Sequence, residues 1–228
     1  MTDYPFTMTL QRIEPVTHDT HHLVFDRPEG FEFEPGQAAH WALDREGWRD
    51  EHRPFTMTSQ PEDRDRVEFV IKSYPDHDGV TKRIAEMEPG DRILSQEPAG
   101  AITDHGAGCF IAGGAGVTPY IPILRRRARE GEVEGCKLIY SNKTEADIIL
   151  RDEWERMDGL DTVFTVTDQH DGSDLPHDKI DDGFLKRYVN DYDQPFYICG
   201  PKGMVNDIRD ALRRIGVKED AIVTEAGW

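Results

Sequence analysis

Short runs in which apolar and polar residues alternate fill the first hundred positions: Phe6–Leu10, His22–Phe25, Ala39–Leu43, Phe55–Ser59, Val67–Ser73 and Arg92–Leu94. A period of two turns alternate side chains to opposite faces, so each run reads as a strand with one face buried. Many short strands separated by turn residues predict an antiparallel barrel or sandwich. One stretch departs from this pattern. Val80–Met87 has helical periodicity and stops at Pro89-Gly90, two residues that end helices.

Beyond residue 100 the rhythm changes. Gly108–Ala112 is a short apolar strand, Gly113–Gly116 a glycine turn and Pro119–Arg129 an amphipathic helix. Then come a strand at Lys137–Tyr140, a helix at Asp152–Met157, a strand at Asp161–Thr167 and a helix at Phe184–Val189. Pro195–Cys199 and Met204–Ile215 repeat strand-then-helix, and Ala221–Thr224 ends the series as a strand. Alternating strands and helices imply a parallel sheet with right-handed crossovers. The expected architecture is therefore two domains: an antiparallel β-barrel over residues 1–102 and an α/β parallel-sheet domain over 103–228.

Composition narrows the function classes. Acidic residues number 45 against 27 basic ones, a formal net charge of −18, and arginine outnumbers lysine. Such a surface repels nucleic acid and anionic membranes, so neither is an expected partner; it also suits a salt-rich cytoplasm. Residues 1–12 lack the basic start and apolar run of a secretory leader, and no window approaches the roughly 18 apolar residues of a membrane span. A cytoplasmic protein, monomer or dimer, is the expectation. Cys109, Cys136 and Cys199 are far apart and odd in number, which argues against a disulfide framework and against cysteine-held zinc or iron–sulfur. The histidines, among them His18, His21 and His22, form no HExxH pair. Redox chemistry in this chain calls for an organic cofactor.

The glycine turn is the sharpest chemical signal. Gly113-Gly114-Ala-Gly116-Val-Thr118-Pro119 links a strand to a helix, the context in which backbone N–H groups and a helix dipole cradle a pyrophosphate. Pro119 stands in place of a third glycine, as a first helical residue. The ribose-binding carboxylate expected about 20 residues on is missing. The second strand instead runs into Ser141-Asn142-Lys143, groups suited to a 2′-phosphate, which tilts the expectation toward NADP.

Four ordered motifs, Arg53-Pro54-Phe55-Thr56, Gly79-Val80-Thr81, Gly113–Pro119 and Cys199-Gly200-Pro201, resemble those of the ferredoxin–NADP reductase family, particularly its compact bacterial flavodoxin and ferredoxin reductases. The resemblance covers nearly the whole chain. It implies that the barrel binds FAD and the α/β domain binds NAD(P)H. Arg53 would then pair with flavin phosphate, Phe55 would stack by the isoalloxazine, and Thr56 would hydrogen-bond near flavin N5. Phe55 replaces the family's tyrosine, which keeps the ring and loses the hydroxyl. Ile71 and Lys72 would offer backbone contacts, and Gly79, Val80 and Thr81 would hold the flavin pyrophosphate. Gly114, Gly116 and Thr118 would meet the nicotinamide nucleotide, with Ser141 and Lys143 at its far end. Cys199, Gly200 and Pro201 would lie against the nicotinamide. Glu225 precedes Trp228 as a glutamate precedes terminal aromatics in the family, which makes Thr56, Cys199 and Glu225 the expected catalytic set. Flavodoxin or ferredoxin is the implied partner, with the basic run Arg125–Arg129 as the expected docking face. A flavin or quinone reductase with a diffusible acceptor, or a non-enzymatic flavin-binding subunit, fits the same motifs.

Overall fold

The computed structural model describes residues 3–74, 79–100, 102–169 and 171–225. The chain divides into two compact units, Met1–Ala101 and Ile102–Trp228.

Six strands build the first unit: β1 (Phe6–Pro15), β2 (Thr20–Asp26), β3 (Ala38–Leu43), β4 (Arg53–Thr56), β5 (Arg66–Lys72) and β6 (Arg92–Ser95). They hydrogen-bond in the order β4-β3-β6-β1-β2-β5, and all the pairings are antiparallel. An antiparallel bridge between Met57 and Phe69, with the Thr58 N–H donating to Glu68 O at 2.7 Å, brings the ends of this sheet together. The result is a nearly closed barrel. A register shift between Leu10 and Arg12 lets β1 bend, pairing first with β6 and then with β2. The alternation read from the sequence fills the interior with Met8, Leu10, Leu23, Phe25, Trp41, Val67, Phe69 and Ile93. The helix α1 spans Val80–Ile84, shorter than its periodic pattern; Val80 and Ile84 are both buried in the barrel core.

The second unit is a parallel sheet of β7 (Cys109–Gly113), β8 (Lys137–Asn142), β9 (Asp161–Val166), β10 (Phe196–Cys199) and β11 (Ile222–Thr224). Their order is β11-β10-β7-β8-β9. Helices α2 (Tyr120–Glu130), α3 (Arg151–Arg156), α4 (Asp182–Tyr188) and α5 (Lys202–Arg214) connect them. Along β7, Cys109 and Ile111 join Ile139, Phe196 and Ile198 beneath α4 and α5. Phe110 packs on the other side, stacked on Tyr197 at 4.3 Å and edge-on to Tyr120 of α2 at 5.2 Å. From β7 the chain builds outward in one direction through β8 and β9, then returns to build the other way through β10 and β11. That reversal lies between β7 and β10, where open α/β sheets bind ligands at their carboxyl edge.

No helix among the described residues is long and apolar enough to cross a membrane.

Candidate functional site

Two segments meet at the carboxyl edge where the strand order reverses: the turn after β7 and the turn after β10. The β7 turn does not enter α2 directly. Gly114–Val117 form a single 3₁₀ turn first, and Pro119 caps α2 rather than opening it. The Thr118 hydroxyl donates to Ala115 O at 3.0 Å, which ties the turn to itself.

The glycines in this turn do different work. Gly114 has φ +52, in the left-handed region, and open space where a side chain would stand. Tyr140 supports it from below, its hydroxyl donating to Gly114 O at 2.9 Å. Gly116 is packed from above. A β-carbon there would lie 2.6 Å from Gly200 N and would overlap the Cys199 carbonyl. The two turns are thus fitted together through the bare backbone of Gly116, while Gly114 leaves its backbone accessible.

Cys199 is the last residue of β10 and is buried, 6% exposed. Loss of hydration pushes its thiol well above the usual cysteine range, and the Glu225 carboxylate beside it adds to the effect by charge and by a hydrogen bond. Cys199 is therefore a thiol donor, not a thiolate. The register explains the pairing. Phe196, Tyr197 and Ile198 of β10 face Ile222, Val223 and Thr224 of β11, so the next step along both strands brings Cys199 level with Glu225.

Asn142, read in sequence with Ser141 and Lys143 as suited to a 2′-phosphate, lies at this edge. It ends β8, is 5% exposed, and neither its amide nitrogen nor its amide oxygen has a hydrogen-bond partner. An unsatisfied buried amide costs about 1–3 kcal/mol, which a polar ligand at this edge would recover. Ser141, opposite Gly113, is half-buried, and Lys143 is exposed. Residues suited to a nicotinamide nucleotide are present here: an open glycine backbone, an unpaired amide, a buried thiol and the N-terminus of the 13-residue α5, capped by Pro201.

On the barrel, β4 is the edge strand, and its four residues are graded in burial. Arg53 and Pro54 are exposed, Phe55 is half-buried and Thr56 is buried. Phe55 rests on the buried Trp41 ring at 4.4 Å, which holds one face of its ring and leaves it partly exposed. The Arg53 side chain is 52% exposed, and its guanidinium lies 3.3 Å from Glu51. Ile71 is buried in the barrel core and Lys72 pairs with Asp19 at 2.9 Å, so both keep only backbone for a ligand. The same holds for Val80. Gly79 precedes α1 in an extended conformation with open space around it, and Thr81 is half-buried. An exposed guanidinium, a supported aromatic face and an open glycine suit a flavin phosphate and ring. Trp228 lies outside the described residues.

The basic run on α2 does not present one face. Arg125 forms a two-pronged pair with Glu153 at 2.6 and 2.8 Å. Arg127 is 7% exposed and its guanidinium reaches Asp104 at 2.7 Å and Glu132 O at 3.3 Å. In the run expected as a docking face, Arg126 is half-buried and Arg129 exposed. The reason is helical spacing. Tyr120, Ile123, Leu124 and Arg127 fall on the inward stripe of α2.

Comparison with known proteins bears on both units. The profile of the oxidoreductase FAD-binding domain matches residues 7–103, and that of the oxidoreductase NAD-binding domain matches residues 110–210. Among curated relatives, NADH-cytochrome b5 reductase 2 of Mycosarcoma maydis is 28% identical over 94% of this chain and 70% of its own length. The reductase component of propane 2-monooxygenase from Rhodococcus jostii is 28% identical over 92% of this chain and 60% of its own. Ferredoxin–NADP reductase B of Sorangium cellulosum is 27% identical over 97% of each. The chain thus spans only 60% of the length of some curated relatives. Among solved structures, a ferredoxin NADP⁺ reductase from Neisseria gonorrhoeae with bound FAD and NADP superposes with a TM-score of 0.82 at 20% identity, over 98% of both chains. The cytochrome b5 reductase domain of Ulva prolifera nitrate reductase gives 0.83 at 22%, over 96% of both. These last two likenesses establish the fold.

Proposed function

Because this chain belongs to the ferredoxin–NADP reductase family, with an FAD-binding barrel followed by an NAD(P)-binding α/β domain, we propose that it oxidises NAD(P)H and passes the electrons to a one-electron protein carrier. Bound FAD and nicotinamide nucleotide supply the hydride transfer and its division into single electrons. The chain's own residues bind, orient and hold protons. The observation that carries the reading is the Cys199–Glu225 pair, set at the strand reversal beside an open glycine turn.

In this reading Arg53 neutralises flavin phosphate, where a guanidinium gives two parallel hydrogen bonds. Phe55, braced by Trp41, offers its ring to the isoalloxazine. The Thr56 hydroxyl sits next along the strand and donates near flavin N5. Gly79, Val80 and Thr81 contribute backbone N–H groups and a hydroxyl to the pyrophosphate, since the first turn of any helix leaves such donors unsatisfied. Gly114 and Asn142 hold the nicotinamide nucleotide, and Thr118 with the Cys199 thiol borders its reactive ring. Glu225 keeps that thiol protonated and oriented. Ser141 and Lys143 favour a 2′-phosphate, hence NADPH over NADH.

Flavodoxin or ferredoxin is the carrier this reading favours. The relatives include reductases of cytochrome b5 and reductase components of monooxygenases, so cytochrome b5 belongs in the same test. The net charge of −18 favours a second reading, a flavin or quinone reductase with a diffusible acceptor, because an acidic carrier is repelled at low salt. Steady-state turnover with NADPH and NADH against flavodoxin, ferredoxin, cytochrome b5 and free flavin separates these. Fast reduction of a protein carrier supports the first reading; activity with free flavin or quinone alone replaces it with the second. A higher KM for NADPH in Lys143→Ala, with NADH unchanged, supports the nucleotide assignment, and no change in either removes it.

A further inference from the structure

Tyr140 of β8 fixes the direction of one peptide in the glycine turn. Its hydroxyl donates to Gly114 O at 2.9 Å. Gly114 is left-handed, and the backbone there has open space around it. The peptide joining Gly114 to Ala115 is planar and trans, so its C=O and N–H point in opposite directions. With the carbonyl drawn onto Tyr140, the Ala115 N–H is turned to the side away from Tyr140.

Tyr140 is itself held in place. It is fully buried, and its ring lies 6.4 Å from that of Phe164 on β9. Its oxygen accepts from the Ile149 N–H at 3.4 Å, which commits the single hydroxyl proton to Gly114 O. Ile149 is anchored in turn by Trp154 of α3, whose indole N–H donates to Ile149 O at 2.8 Å. Just before it, Thr144 and Asp147 close the loop with reciprocal capping contacts, the Thr144 hydroxyl donating to the Asp147 carboxylate at 2.7 Å. Just after it, Leu150 stands at φ +57, the one positive-φ residue other than glycine among the described residues. That conformation is disfavoured for any residue with a β-carbon. A strained residue, a closed loop and an indole thus converge on keeping one backbone N–H against one hydroxyl. Alternation along β8 puts Asn142, 5% exposed and unpaired at both amide atoms, on the same face one pleat nearer the carboxyl edge. One polar group of this face is engaged with the turn, and the next is left for a ligand.

Resting on the reading that this turn binds NAD(P)H, we infer that Tyr140 is a positioning residue for the nucleotide pyrophosphate. It touches no ligand. Its hydroxyl locks the Gly114–Ala115 peptide with the N–H outward, so this donor is oriented before the pyrophosphate arrives. Without that hydrogen bond a glycine peptide rotates readily, and the ordering is then paid at each binding event. Tyr140 therefore acts on affinity for ligands that carry the pyrophosphate, and not on hydride transfer itself.

Tyr140→Phe removes the hydroxyl and keeps the ring. Full-length, FAD-loaded protein is titrated calorimetrically with NADP⁺, NAD⁺ and ADP-ribose, the last carrying the pyrophosphate without the nicotinamide. The variant should bind all three about fivefold more weakly than wild type, the worth of one neutral hydrogen bond. In stopped flow the NAD(P)H concentration for half-maximal flavin reduction should rise by a similar factor, with the maximal rate within about twofold. Unchanged affinity overturns the role, and so does a maximal rate that falls as far as the affinity, which would mark a general distortion of the centre. Amide exchange in the wild-type protein gives a second measurement that needs no variant. The Ala115 N–H should exchange readily without ligand and be slowed by ADP-ribose; exchange that ADP-ribose leaves unaltered overturns the assignment. A wild-type protein that binds none of the three ligands fails the NAD(P)H reading itself, and this role with it.

Discussion

Gly116 and Cys199 touch backbone to backbone, so closely that a β-carbon on the first would intrude on the carbonyl of the second. The turns after β7 and β10 are therefore one packed unit. Gly116→Ala should force them apart, at a cost of about 1–3 kcal/mol in stability, the usual penalty for an added carbon in a filled space. Gly114→Ala strains a left-handed residue but meets nothing. Denaturant unfolding of both variants checks this. If Gly116→Ala is as stable as wild type, the contact is slack and the turns are independent.

Cys199→Ala should slow flavin reduction by NAD(P)H, by about tenfold or more, without loosening the flavin. The thiol lies in the second unit, and in the proposed reading it meets only the nucleotide. Arg53→Ala should do the reverse, shedding flavin while the remaining holoprotein is reduced at nearly the wild-type rate. Stopped-flow reduction measured beside flavin occupancy tests the pair. Two variants that fail alike would show these roles are misassigned.

Cys109 is fully buried, and loss of hydration pushes its thiol up to about 12 from 9.0. Cys199 is shifted in the same direction. A folded value above the unfolded one means that the stability tied to the proton is intact below about pH 9 and is lost as pH rises toward the folded value. Urea unfolding should give constant stability from neutral to about pH 8.5, then a decline. The decline should be gentler in Cys109→Ala, whose baseline stability is lower but whose deprotonation is removed. An equally steep decline in that variant would assign the alkaline loss to the buried tyrosines, Tyr120 and Tyr197, which shift the same way.

Arg127 and Arg126 are neighbours with opposite expected phenotypes. Arg127→Ala removes a buried guanidinium from Asp104 and Glu132 O and should cost about 2–3 kcal/mol in unfolding free energy. Charge reversal at Arg126 and Arg129 should impair electron transfer to an acidic carrier, with reduction by NAD(P)H spared. Carrier turnover equal to wild type in the reversal variant would remove α2 as a docking face.

Most of the framework was readable from periodicity because each element obeys a local rule. The strand over Val67–Ser73 and the alternation from Cys109 onward are patterns of neighbours in sequence. The features that were not readable depend on distant partners. Nothing local marks Gly116 as lying under Cys199, or brings Tyr140 to Gly114. Asn142 stood in sequence beside Ser141 and Lys143 as a group suited to a 2′-phosphate, but its burial with both amide atoms unpaired is not visible there. Arg127 is the intermediate case. Read as a basic run, it belongs to the surface; read at spacing three and four from Tyr120, Ile123 and Leu124, it falls on the inner stripe of α2. Composition and periodicity pointed opposite ways there, and periodicity governed.

The step-for-step match of β10 with β11 makes the sheet a vernier for chemistry. Glu225 reaches Cys199 because three matched pairs precede it, Phe196 with Ile222, Tyr197 with Val223 and Ile198 with Thr224. The count of residues through the bend after α5 sets the register of that match. Removing one residue between Gly216 and Ala221 would advance β11 by a notch, which in a strand also turns every side chain to the opposite face. The carboxylate would then be directed away from the thiol, although no residue of the pair had changed. The length of a connecting loop in this sense decides which side chain meets the thiol.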